Sequence, residues 1–136
     1  MDLKSALRDF PAGLRGRKPD GAPHTSWQLL EHMRIVQADI LAFSVDRNHV
    51  SPEWPEGYWP DKDAPADERA WNQSVSKFLS DLNAVCELVR DPARDLFANI
   101  PHGTGQTLLR EALLVADHNA YHLGQLLTVR QILERN

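Results

Sequence analysis

The sequence predicts an all-α fold, an antiparallel four-helix bundle running up-down-up-down. Three observations carry that expectation. Long segments place apolar residues at the spacing of a helix face, no strand signal is present, and connectors bearing proline and glycine separate the segments. A chain of 136 residues suits a single domain over residues 1–136 with one hydrophobic core.

The first segment carries Leu3, Leu7, Phe10 and Leu14 at helical spacing. Pro11 interrupts it, so the expectation is a short helix ending near Phe10 or a kinked one reaching Leu14. Gly13, Gly16, Pro19, Gly21 and Pro23 then form an irregular connector. Thr25, followed three residues later by Gln28, has the form of a capping box and opens a second helix over about Thr25 to Val45. Residues 46–64 hold three prolines, a glycine, Trp54, Tyr58 and Trp59. A loop this long in a compact domain is functional or disordered, and the aromatic rings argue for packing, as a lid over the site or as a seal on the bundle's end. A third helix is expected from around Pro65, with Trp71, Val75, Phe78, Leu82, Val85 and Val89 as its seam, ending at Asp91-Pro92. The fourth should run from about Gly105 to Leu133, with Thr104 as its cap. It is apolar nearly all round, which calls for burial on more than one side: in the centre of the bundle or in a homodimer interface.

Composition narrows the function. The apolar fraction of 42% and charged fraction of 25% are those of an ordinary globular protein. A net charge of −4 and the lack of any basic cluster argue against nucleic acid. No apolar run reaches the length of a membrane span. Cys86 is the lone cysteine, and the first ten residues lack a signal-peptide core, so a cytoplasmic location is expected.

The chemistry-bearing stretch is DHNAYHLGQ, Asp117 to Gln125. Four residues apart on a helix, His118 and His122 lie on one face and can offer two imidazoles to one metal. Two hydrogen-bonded or surface histidines would give the same spacing. A third ligand would discriminate, since catalytic zinc-type sites take three protein groups. His102 is separated from His118 by roughly 24 Å of helical rise. His24 and His49 lie outside the helices and are uninformative. His32 shares the inward stripe of helix two with Leu29, Val36, Asp39, Ile40 and Phe43. In an up-down bundle helices two and four run parallel and can be neighbours, so His32 could face the pair. A core histidine bonded to a carbonyl or to Asp39 is the other reading.

The segments HTSWQLLEHMRIVQADIL and PHGTGQTLLREALLVADHNAYHLGQLL resemble the second and fourth helices of the DinB family, and with the WPEGYWP loop between them the resemblance spans most of the chain. It is weakest at helix one. The resemblance implies a DinB-like bundle, usually dimeric, with a divalent metal held by three histidines, which correspond to His32, His118 and His122. Three imidazoles suit zinc, nickel, copper or iron, with zinc or nickel expected. Such a metal can acidify a water or hold a thiolate. Relatives of DinB-like proteins include thiol-dependent transferases and isomerases, which implies thiol transfer or hydrolysis on a small molecule, possible partners being a low-molecular-weight thiol and a second copy of the chain. The alternative is a non-catalytic dimeric module that binds metal or a small ligand. Asp39 could be an acceptor behind a ligand, a base near the metal, or a buried carboxylate bonded to a helix or loop donor. Gln125 could orient a ligand or water, Glu111 is expected at the surface, and Cys86 is expected as a small core residue.

Overall fold

The computed structural model describes residues 3–135. Met1, Asp2 and Asn136, which the expected domain over 1–136 includes, lie outside the described residues. The elements are α1 (Leu3–Arg8), a 3-10 turn (Ala12–Leu14), α2 (Ser26–Val45), a second 3-10 turn (Glu56–Tyr58), α3 (Glu68–Arg90) and α4 (Leu108–Arg135). Among the described residues the only β pairing is an isolated bridge between Asn99 and Thr107. The fold is all-helical, as expected.

Pro11 ends α1 two residues early, because proline disfavours helical geometry in the residue before it and offers no N–H. The Phe10 carbonyl is taken up by the buried Arg15 guanidinium, whose Nη2 donates at 3.0 Å. Trp71 Nε1 donates to the Leu7 carbonyl at 3.0 Å, and the Phe10 ring lies 5.2 Å from that of Trp71, which anchors the short helix to α3. The Thr25–Gln28 capping box forms with both bonds, at 3.0 and 3.2 Å.

Two helix starts lie later than the sequence suggests. Asp67 rather than Pro65 begins α3, its carboxylate accepting from the Ala70 N–H at 2.7 Å. Gly105 sits at φ +118°, outside the right-handed helical region, so α4 cannot include it. Thr107 takes the capping role instead of Thr104, its Oγ1 accepting from the Arg110 N–H at 3.1 Å.

Helix direction follows from which residues meet. Trp27 of α2 neighbours Trp71 of α3, Glu31 accepts from the Ser74 hydroxyl, Gln37 Nε2 donates to the Phe78 carbonyl at 2.7 Å, and Ile40 clusters with Val85. Numbers rise together, so α2 and α3 run the same way. Against α4 they run oppositely: Leu29, Leu30 and Met33 share a cluster with Leu126, Val129 and Leu133, Gln37 Oε1 accepts from Asn119 Nδ2 at 2.8 Å, and Ile40 meets Val115. The expected up-down-up-down order, with α2 and α4 parallel, is therefore corrected. A short turn would have forced α3 to run back along α2. Residues 46–67 are instead long enough to return the chain along α2's roughly 30 Å before α3 begins.

The core joins Leu7, Phe10, Trp27, Leu30, Trp71 and Phe78 with the inward residues of α4. Each such side chain contributes about 1.5–3 kcal/mol by leaving water. The α3 seam thins toward its end, where Leu82 is half-buried and Val89 exposed. On α4, Leu113, Leu114, Tyr121 and Ile132 remain exposed, so the chain alone does not cover that helix all round.

Candidate metal centre

Antiparallel packing of α2 on α4 brings His32, which is 3% exposed, against the half-buried His118 and His122. The three rings lie 4.5–4.9 Å apart, centroid to centroid. One ligand atom from each lies within 4.8 Å of the others, so the group could hold a metal ion.

Hydrogen bonds behind the rings decide which nitrogens face inward. His32 Nδ1 is 2.8 Å from the Tyr58 carbonyl. A carbonyl only accepts, so Nδ1 carries the proton and Nε2 keeps its lone pair. His122 Nδ1 stands in the same relation to Gln125 Oε1, at 2.7 Å. His118 Nε2 lies 3.1 Å from His32 Nε2, and its Nδ1 is buried without a partner. Two imidazoles about 2.0–2.1 Å from a common ion come this close at a ligand angle somewhat below tetrahedral. The donor set and its spacing fit a divalent ion.

Electrostatics point the same way. His118 is pushed down to about 4, first by burial and then by His122 and His32. His32 is lowered by burial and by His122 and His24, against the upward pull of the Tyr58 carbonyl. Burial also lowers His122, against its bond to Gln125. At neutral pH all three are uncharged, the form that ligates metal.

The loop over residues 46–64 forms one wall. Trp59 lies flat on His32, with ring centroids at 3.8 Å and planes 2° apart. His24 stacks on Trp59's other face at 4.0 Å. That role for His24 is not legible in its position before helix α2, because only the closure of the loop brings Trp59 against it. Trp54 is exposed and, among the described residues, its one aromatic neighbour is Tyr58, so the cap over the site is Tyr58 and Trp59.

Asp39 stands outside the three-histidine group and holds the loop. It accepts from the Tyr58 hydroxyl at 2.8 Å and lies 2.6 Å from His49 Nε2, while the carbonyl of the same Tyr58 holds His32. This is the reading of a carboxylate bonded to loop donors, with the loop in turn orienting a ring. His102 bonds the Phe43 carbonyl at 2.6 Å, at the other end of α2. Glu111, expected at the surface, is buried on α4 and paired with Arg110 at 2.6 Å. Cys86 is half-buried on α3, outside the group.

In comparison with known proteins, the family model described as the DinB superfamily matches residues 1–126, a span that includes all three histidines. No curated protein and no solved structure matches the chain.

Proposed function

The chain belongs to the DinB superfamily, and on that footing we propose that His32, His118 and His122 hold one divalent metal ion, zinc or nickel, at the centre of a small-molecule enzyme. The observation that carries this reading is the pair of Nδ1–H bonds, to Tyr58 and Gln125, that leave the Nε2 lone pairs of His32 and His122 free for an ion shared with His118. When bound, the ion supplies Lewis acidity that lowers the proton affinity of a thiol or water in a coordination position the three imidazoles leave free. Thiol transfer is the reaction that the resemblance to DinB-like transferases favours, with hydrolysis as the other outcome of the same chemistry.

The chain's own residues prepare the site. Tyr58 and Gln125 fix two rings in one tautomer, which spares the ion the work of orienting them. Trp59 and His24 shield the His32 face from water. The exposed Leu113, Leu114, Tyr121 and Ile132 of α4 support a homodimer through this helix, and the reading places one domain over 1–136 in the cytoplasm.

The test is metal content, measured by mass spectrometry on untagged protein purified without a nickel column. About one ion per chain is expected, lost in both His32→Ala and His118→Ala. Protein that carries no metal and takes up neither added zinc nor nickel would sink the proposal.

A further inference from the structure

A cavity of about 460 Å³ lies one residue removed from the three histidines, reaching them through Gln125, which bonds His122, and His24, which backs Trp59. Its walls are the connector from Pro19 to His24, Leu29 of α2, and Gly124, Thr128, Val129 and Ile132 of α4. That volume falls within the roughly 300–1,000 Å³ of ligand sites. The lining is mostly aliphatic, with the Asp20 carboxylate as its charged side chain.

Two residues belong to both the cavity and the centre. Gln125 lines the cavity while its Oε1 holds His122 Nδ1. His24 lines the cavity while its ring backs Trp59, which covers His32. From Gln125 to Ile132 the cavity follows α4 for roughly 10 Å of helical rise away from the histidines. A molecule seated there has its body in a mostly apolar groove and one end at Gln125 and His24, the residues that stand between the cavity and the three histidines.

Building on the proposed metal site, we infer that this cavity seats the uncharged aliphatic body of the substrate, whose polar end reaches the three histidines past Gln125. The class is a small aliphatic thiol, or a substrate of similar shape, without an anionic tail. The aliphatic walls offer nothing to solvate an anionic body, and no cationic side chain lines the cavity to pair with one.

Gly124 provides the means to close the channel. A Cβ built there meets no atom within 4 Å, so a side chain enters open space, and replacing a mid-helix glycine favours the helix. Gly124→Phe and Thr128→Phe are therefore expected to fold, which far-UV circular dichroism checks. The cobalt-loaded protein is titrated with hexanethiol and with mercaptoethanol, reading the sulfur-to-cobalt charge-transfer band. Hexanol, which has no thiol, is followed separately by saturation-transfer NMR.

In the wild type hexanethiol should half-saturate the band at a concentration about a hundredfold or more below mercaptoethanol, as burial of its four extra carbons at about 0.8 kcal/mol each requires. Both variants should abolish that preference, leave mercaptoethanol unchanged, and remove saturation transfer to hexanol. The inference is overturned if the two thiols bind alike in the wild type, if the preference survives in both variants, or if hexanol receives no saturation. Should cobalt fail to bind, or neither thiol raise the band, while hexanol still depends on Gly124, the metal-thiol reading falls and the cavity stands.

Discussion

Each end of α2 meets a histidine bonded to a backbone carbonyl, and the two ends have different uses. Near its start, His32 bonds the Tyr58 carbonyl at 2.8 Å; near its finish, His102 bonds the Phe43 carbonyl at 2.6 Å. The carbonyl bond is common to both, since any partly buried imidazole needs a partner. What differs is the second nitrogen. That of His32 faces His118 at 3.1 Å, with His122 alongside, whereas His102 belongs to no such group among the described residues. A histidine becomes a candidate ligand through what its other nitrogen faces.

The largest effect tests that contrast directly. His118→Ala should lose essentially all bound metal, while His102→Ala should keep the wild-type content by mass spectrometry. Equal loss in both would erase the distinction between the two ends.

Acid should separate the ends next. The folded-state value for His118 lies near 4, below the ordinary 6.5. The unfolded chain therefore takes up protons first as pH falls. The stability of the metal-free protein should hold above about 6.5 and decline as pH drops toward about 4, with metal retained through most of that window and released as pH reaches about 4, where the folded His118 begins to take a proton in place of the ion. Thermal unfolding against pH checks this, and His118→Gln should flatten the decline.

Behind the ligands the effects shrink. Gln125→Leu removes the acceptor for His122 Nδ1–H and should weaken metal binding by about tenfold or more, read by competition with a chelating dye. Thr25→Ala, which breaks the cap of α2, should lower stability by about 1 kcal/mol in urea denaturation and leave metal content alone. A loss of metal there would mean that the end of α2 bearing His32 depends on its cap more than on Tyr58.

The legible parts of the sequence were those whose signals are local. The capping box set the start of α2 because Thr25 and Gln28 satisfy each other's backbone within one turn. The starts of α3 and α4 are ambiguous in the sequence because several residues able to open a helix stand close together: Asp67 past Pro65, and Thr107 past Thr104. The burial of Glu111 differs from the expectation because a carboxylate on a helix tells nothing about whether a neighbour covers it. The three histidines were found from helical spacing together with resemblance; spacing alone left His118 and His122 open to an ordinary reading.

By itself, then, the sequence determined an all-helical chain, the placing of His118 and His122 on one helix face and the aromatic character of the loop, while the resemblance added His32 to the pair. Only the tertiary structure decided that α2 and α3 run alike with α4 opposed, that Asp39 serves the loop, and which nitrogen of His32 and of His122 is turned inward. The reason is the range of the forces involved. Periodicity and caps act within a turn or two of helix, whereas the partner that sets the tautomer of His32 lies 26 residues away, and the imidazole it faces lies 86 away. Contacts over such separations exist only once the core has brought the helices together.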